Sequence, residues 1–231
     1  MVNNQFRFTL LFVPNVLYLT ERPYTVASVG FTVNPVKRMG RPRLFDEDEV
    51  LSKAMELFWS RGYHATSMSD LVAATGLLKG SLYQAFGDKH ALFIAALDRY
   101  LTCGVVDTQK FLQSFDSPKA AIRELVVRMS QEAAGVSGKR GCLAVGAALE
   151  MIPHDVETAE RIRRFYESNQ QAILGALKRA QSMGEISEGK DLPGLARALV
   201  AGILGMRVLG KTGPTARQTK QTAESLLRLL D

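Results

Sequence analysis

Cysteine is scarce in this 231-residue chain, and its two cysteines, Cys103 and Cys142, are too few for a disulfide framework. Such usage suits a reducing compartment, so we expect a cytoplasmic protein. Neither a Cys-x-x-Cys pair nor a cluster of Cys and His is present, so we predict no metal site and no cofactor. A run of about twenty apolar residues is also missing, so we predict no membrane association.

Catalytic chemistry has little support in the residue pattern. An enzyme needs an acid, a base or a nucleophile that converge on one site. Cys142 with His154 is the one pair worth considering, and no third group orients it. We therefore predict that the chain has no catalytic residues and is not an enzyme.

The net charge of +6 is a weak guide to function because the charges are unevenly placed. Between residues 39 and 100, seven Lys and Arg stand against eight Asp and Glu, a net charge of −1. Residues 101–231 carry a net charge of +4. If residues 39–100 bind nucleic acid, their attraction to phosphate must come from the placement of single charges.

The most informative stretch of the chain is residues 66–89. Ser67 and Asp70 have the spacing of a capping box, so a helix should begin at Met68. Gly76 should end that helix, because glycine tolerates the positive φ angle of a helix C-terminus.

A second short helix is predicted over Lys79–Phe86, after a tight turn. Leu82 and Phe86 are four residues apart and would hold one face against a core, while the polar side chains point elsewhere. Gly87 should end this helix and Asp88 should cap the next. Two short helices joined by a glycine-containing turn form the unit that presents its second helix to the DNA major groove.

Amphipathic helices flank this helix-turn-helix on both sides. Residues 46–61 form the first, and Gly62 ends it; another begins at residue 88. The apolar residues at helical spacing are Leu51, Ala54, Met55 and Phe58, then Phe93, Ala96, Leu97 and Tyr100. The pattern predicts a compact three-helix head with a fourth helix leaving it, and we expect Trp59 in the core of that head.

These residues resemble the N-terminal domain of the TetR (tetracycline-repressor-like) family of bacterial transcription regulators over about residues 42–102. The likeness rests on Ala54, Phe58, Arg61-Gly62-Tyr63, Thr66-Ser67-Met68, Asp70-Leu71, Ala74, Gly76, Lys79-Gly80-Ser81-Leu82-Tyr83, Phe86, Asp88-Lys89 and Leu92-Phe93. The resemblance implies an all-α fold. It places a helix-turn-helix DNA-binding domain at 44–104, with its motif at about 67–86, and a C-terminal helical ligand-binding and dimerisation domain at 105–231.

The resemblance also implies which residues contact double-stranded DNA. The predicted contacts are Thr66, Ser67, Tyr83 and Lys89 on phosphate, and Lys79, Gly80, Ser81 and Gln84 in the groove. Leu78 stands where many members carry a small hydroxyl residue, and Gln84-Ala85 replaces aromatic or histidine residues. The alternatives are that Tyr83 merely packs and that Lys89 is an ordinary solvated lysine.

A basic arm precedes the head. Arg41 and Arg43 flank Pro42, and we predict that both arginines contact DNA, as flexible arms beside helix-turn-helix units do in the minor groove. The alternative is a disordered leader with randomly placed charges. Residues 1–38 are predicted to be a disordered extension, because they show no helical period. The alternative is a secretory signal, but the apolar run is broken by Pro14 and no clear small-residue cleavage site follows it.

Beyond residue 104 the pattern stays helical, without convincing strands or an internal repeat. In the last two helices, Ala198, Gly202 and Gly205 would permit close approach on one face. The corresponding helices of the resembled family form the dimer interface, so we expect a homodimer, which suits a palindromic operator. The alternative is that these helices close the domain's own core.

The resemblance implies a repressor that leaves its operator when an unknown small-molecule effector binds the C-terminal domain. The pocket residues we predict are Phe111, Phe115, Met129, Cys142, Met151, Phe165, Tyr166 and Asn169. Most of them are equally well explained as core. Two alternatives stay open: a helical protein-interaction module, and redox or electrophile sensing through Cys142.

Overall fold

The computed structural model describes residues 12–13, 16–17 and 45–231. In the N-terminal part, β1 (Phe12–Val13) pairs antiparallel with β2 (Val16–Leu17). This short pair was not predicted, although β-branched valines suit a strand. The rest of the predicted 1–38 extension, together with Arg41 and Arg43, lies outside the described residues.

The predicted head is built from four helices whose ends follow local capping signals. They are α1 (Glu47–Arg61), α2 (Met68–Thr75), α3 (Lys79–Phe86) and α4 (Lys89–Gln113). Both halves of the Ser67–Asp70 capping box are formed, and Gly76 is left-handed with φ of 74°. The predicted starts and ends of α2 and α3 are therefore confirmed.

The core of the head lies where α1, α2 and α3 meet the first half of α4. Phe58 of α1 and Phe93 of α4 pack edge to face, with 5.2 Å between ring centroids. Leu71 of α2 and Leu82 of α3 are also buried, and both are at most 1% exposed. Each such burial contributes about 1.5–3 kcal/mol relative to an exposed side chain.

The C-terminal part is helical throughout. It comprises α5 (Pro118–Glu132), α6 (Gly135–Arg140), α7 (Leu143–Met151), α8 (Val156–Ser182), α9 (Leu192–Gly210), α10 (Ala216–Leu227) and a final 3-10 turn (Arg228–Leu230). Over residues 45–231 the fold class is all-α, as predicted.

The long helix α4 belongs to both parts of the chain. It packs against α1 in the head and against α5, α7 and α8 beyond it. Gly104 allows close approach to α8, since a Cβ there would lie 3.2 Å from the Phe165 ring. The domain boundary predicted between residues 104 and 105 therefore falls inside a continuous helix.

The segment from Arg140 to Asp155 joins the C-terminal part to the head. Trp59 is 9% exposed, as expected of a core residue, but its indole N–H donates to the Gly141 carbonyl at 3.2 Å. The Arg140 guanidinium stacks on the same ring, 3.6 Å from its centroid, and pairs with Glu56. Trp59 is thus part of a junction between the two regions, and not of the head alone.

Helix α9 is long and apolar enough to cross a membrane by length and composition, but one such helix is weak evidence. Only 28% of its apolar window is buried within the chain, so much of its surface faces outward. A Cβ at Gly202 would overlap Leu226 of α10, whereas one at Gly205 would meet no atom of the described residues within 4 Å. Gly202 therefore serves packing inside the chain, and Gly205 lies on an open face.

The hydrogen bond between Asp155 and His90, at this junction, should make the stability of the fold depend on pH. Asp155 caps α8 and accepts a 2.7 Å hydrogen bond from His90 of α4. Burial alone would raise the pKa of the Asp155 carboxyl, but hydrogen bonds from Thr158 and His90 outweigh it and lower the pKa from 3.8 to about 2. A carboxyl with a lowered pKa stabilises the fold above about pH 4, and this contribution disappears as the pH falls towards 2.

We expect Asp155→Ala to lower the free energy of unfolding by about 2 kcal/mol at neutral pH, because the variant loses both the N-cap and the hydrogen bonds that lower the pKa of the carboxyl to about 2. The difference from the wild type should shrink between pH 4 and pH 2, as measured by urea unfolding. Asp116→Ala removes an exposed carboxylate as a control. A difference that stays constant across this pH range would contradict the assigned role.

Candidate nucleic-acid interface

Helix α3 has one face on the core and one face open. Leu82 is 1% exposed and holds the helix against α2 and α4. Lys79, Gly80 and Gln84 are exposed, Tyr83 is 42% exposed, and Ser81 is half-buried. The groove-facing residues predicted from the sequence therefore come together on one surface.

The open face of α3 suits close approach by another molecule. A Cβ at Gly80 would meet nothing within 4 Å, so no neighbour in the described chain requires glycine there. The missing side chain leaves room for a partner to reach the helix backbone. The Lys79 ammonium lies 5.8 Å from the centroid of the Tyr83 ring, so the charge and the phenol stand side by side.

The start of α3 lacks the usual side-chain cap. Leu78 has the extended backbone of an N-cap residue but makes no capping hydrogen bond, and it is 78% exposed. The departure noted in the sequence is thus a real feature of the helix. Because α3 spans only eight residues, its stability depends on packing more than on its own turns.

The structure does not support the predicted phosphate contact of Thr66, at the start of α2. Thr66 is fully buried, its hydroxyl donates to the Gly62 carbonyl at 2.7 Å, and its N–H donates to the Tyr63 carbonyl. Both groups that were expected to meet phosphate are therefore used inside the turn. The resemblance indicated a polar helix start, but the nearby carbonyl of Gly62 captures the hydroxyl.

Ser67 is exposed, yet most of its hydrogen-bonding capacity serves the capping box. Its N–H and its hydroxyl donate to the Asp70 carboxylate at 2.9 Å and 2.6 Å. Among the described residues, the N–H groups of Met68 and Ser69 have no acceptor. These first-turn N–H groups, at the positive end of the helix dipole, are the donors that α2 can offer to a phosphate.

Lys89 stands at the first position of α4 and is held in place. Its ammonium lies 4.3 Å from the centroid of the Tyr63 ring, a cation–π contact. Partial burial lowers the pKa of Lys89, while the Glu150 carboxylate acts in the opposite direction. The alternative of a freely solvated lysine does not match this environment.

Ion pairs account for several acids of the head. Asp48 pairs with Arg99 at 2.6 Å, and Asp70 pairs with Arg61 at 2.7 Å. Helix α3 itself contains no acidic residue. The open face of α3 can therefore attract phosphate although residues 39–100 carry a net negative charge.

Glu150 of α7 was missed by reasoning from the sequence. One of its carboxylate oxygens accepts hydrogen bonds from the N–H groups of Tyr63, at 2.9 Å, and of His64, at 3.2 Å. These residues form the turn between α1 and α2. Nothing local in the sequence signals a contact between residues so far apart.

The predicted ligand-pocket residues lie in different surroundings. Phe111, Phe115 and Met129 pack against the C-terminal core, while Asn169 donates to the Phe165 carbonyl of its own helix at 2.9 Å. Met151 is buried. For Phe111, Phe115 and Met129, these positions fit the core interpretation.

A cavity of about 90 Å³ lies between the C-terminal end of α1 and α7. Of the predicted pocket residues, its lining includes Cys142 but none of the other seven. The Tyr100 hydroxyl donates to the Cys142 sulfur at 3.3 Å, and burial raises the pKa of Tyr100. No group of three or more His, Cys, Asp or Glu that could hold a metal ion occurs in the described residues.

Comparison with known proteins identifies relatives of the chain. The family described as "Bacterial regulatory proteins, tetR family" matches residues 50–96. The HTH-type transcriptional repressor ComR of Escherichia coli (strain K12) is 32% identical over 195 residues, covering 84% of this chain and 92% of ComR. The uncharacterized HTH-type transcriptional regulator YezE of Bacillus subtilis (strain 168) is 31% identical over 194 residues, covering 84% of this chain and all of YezE.

A solved structure that is similar to this chain contains DNA. It is a cysteine mutant of the TetR family transcriptional regulator CifR complexed with 26-bp double-strand operator DNA. It is 28% identical to this chain with a TM-score of 0.74, and the match covers 83% of this chain and 100% of the CifR chain.

Proposed function

The chain belongs to the tetR family of bacterial regulatory proteins and is a DNA-binding transcriptional regulator, and we propose that it is a cytoplasmic repressor released from its operator by a small-molecule effector. The open polar face of α3, held by Leu82 on its other side, is the observation that supports DNA recognition most directly.

The DNA contacts we propose divide into two groups. Lys79 and Gln84 address base edges, since lysine matches guanine acceptors and glutamine matches adenine, while Gly80 and Ser81 let α3 approach closely. The proposed phosphate contacts are Ser67 at the α2 start, Tyr83, Lys89 and, from the arm, Arg41 and Arg43. Thr66 is not among these contacts, because it is buried.

A two-fold homodimer is the assembly we propose, formed through α9 and α10. The outward face of α9 carries Ala198, Ala201, Gly205 and Val208, which are exposed and small or apolar. Covering such a face by a second copy would bury it and place two α3 helices on one side of a duplex. Half-sites about 34–36 Å apart, or a multiple of this, would then be read together.

Release requires an effector with different affinities for two arrangements of the heads. The C-terminal core around Phe111, Phe115 and Met129 could open to hold such a ligand, because these residues are only half-buried. The ComR relative is named a repressor, which favours repression over activation.

Sensing through Cys142 is the alternative, and one observation favours it. The thiol lines the cavity between α1 and α7 and accepts a hydrogen bond from Tyr100, so a change at the sulfur would act directly at the junction with the head. Operator release that persists in Cys142→Ser would exclude this alternative.

The phosphate contacts are tested by the double variant Tyr83→Phe with Lys89→Ala. The variant loses two charge-assisted contacts in each head, hence four per dimer, and at about 1.5 kcal/mol or more per contact operator binding should weaken roughly ten-thousandfold. The magnitude of the slope of log affinity against log salt should fall by about two, because each head of the dimer loses one phosphate-contacting lysine. Mobility-shift titration against the DNA upstream of the protein's own gene would measure both. Lys178→Ala, an exposed lysine of α8, should leave binding unchanged, whereas an unaltered double variant would refute the assigned contacts.

The dimer is tested by Gly205→Glu. A side chain at Gly205 meets no described neighbour within 4 Å, so the fold should tolerate the substitution. The charged glutamate should, however, prevent a second copy from packing against α9. Sedimentation equilibrium should give twice 25.4 kDa for the wild type and a single chain for the variant. Gly189→Glu, at another open glycine, should remain dimeric. A monomeric wild type, or a Gly205→Glu variant that is still dimeric, would contradict the proposed interface.

A further inference from the structure

The turn between α1 and α2 is held by a group from the C-terminal part of the chain. The Glu150 carboxylate reaches from α7 and accepts from the N–H groups of Tyr63 and His64 with one oxygen. Among the described residues neither N–H has another acceptor. Gly62 makes room for this contact, because a Cβ there would overlap the carboxylate.

The residues held by Glu150 stand directly beside two proposed DNA-contacting elements. On the C-terminal side, the turn continues into the Ser67 cap and the free N–H groups of α2. On the other side, the Tyr63 ring packs against Phe93 at 4.9 Å and carries the Lys89 ammonium on its face. A shift of Tyr63 would therefore move both the support of Lys89 and the approach to α2.

We propose that Glu150 is the positioning residue through which α7 fixes the helix-turn-helix in its DNA-binding orientation. The proposal rests on the proposed function, since it explains how the C-terminal part would alter operator affinity. Glu150 touches no DNA in this scheme. It acts through the Tyr63–His64 turn.

Hydrogen bonds make this link sensitive to small movements. The contacts are 2.9 Å and 3.2 Å long, and an added displacement of about 1 Å would break both. The cavity of about 90 Å³ borders Glu150, Gly62 and Tyr63 on one side, so the carboxylate and the turn are not enclosed by packed atoms there. A modest shift of α7 could thus release the turn without unfolding the head.

Three variants of the full-length protein separate positioning from charge. Glu150→Ala removes the acceptor, whereas Glu150→Gln keeps one oxygen that can accept both N–H groups. Glu167→Ala removes an exposed carboxylate of α8, paired with Arg163 on the same helix, as the matched control. Each is compared with the wild type on a duplex that the wild type selects from genomic DNA, with amide hydrogen exchange at Tyr63 and His64 as a second readout.

We expect Glu150→Ala to weaken binding to the selected duplex about tenfold, within the usual range of coupling between sites. The Tyr63 and His64 amides should also exchange at least tenfold faster. Glu150→Gln and Glu167→Ala should stay within about twofold of the wild type in both readouts. The direction of the change in DNA affinity separates positioning from charge. Losing a negative charge by itself would tighten binding to DNA, whereas losing the positioning contact should weaken it.

Unchanged affinity in Glu150→Ala, or equal effects in Glu150→Ala and Glu150→Gln, would overturn the positioning role while leaving the proposed function intact. Slow exchange at Tyr63 and His64 in Glu150→Ala would overturn it as well. A wild type that prefers no duplex would instead overturn the proposed function, and the positioning role with it.

Discussion

A recognition helix of only eight residues must be held by its neighbours, and this requirement shapes the whole head. Helix α3 has no side-chain cap at Leu78, so Leu82 and the flanking helices α2 and α4 supply the order that local interactions do not. Packing uses one face of the helix and leaves the other free for polar residues. Rigid support on one side and open chemistry on the other together allow a short helix to read DNA.

Local signals made much of this fold predictable. The capping box at Ser67 and the left-handed Gly76 are each defined by residues within four positions, so spacing alone locates the ends of α2. Contacts between distant segments have no comparable signal in the local sequence. The bonds from Trp59 to Gly141 and from Tyr63 to Glu150 span 82 and 87 residues, and only the packed chain brings these groups together.

The candidate site shows where reasoning from residue type reaches its limit. A hydroxyl beside a helix start can serve phosphate or the nearest carbonyl, and at Thr66 the Gly62 carbonyl is 2.7 Å away. Small residues in one helix are ambiguous in the same way. Gly202 faces Leu226 of α10, while Gly205, three positions on, faces open space, and only their surroundings distinguish the two.

Two of the connections between the C-terminal part and the head differ in stiffness. Helix α4 is continuous from Lys89 to Gln113, so it transmits displacement as a rigid lever. The contacts of Glu150 are single hydrogen bonds that are either made or broken. In the proposed switch, a continuous helix and a pair of breakable hydrogen bonds together would supply the two discrete arrangements that switching needs. Because coupling free energy is reciprocal, any effector that lowers operator affinity through these connections must itself bind less tightly, by the same factor, when operator DNA is bound.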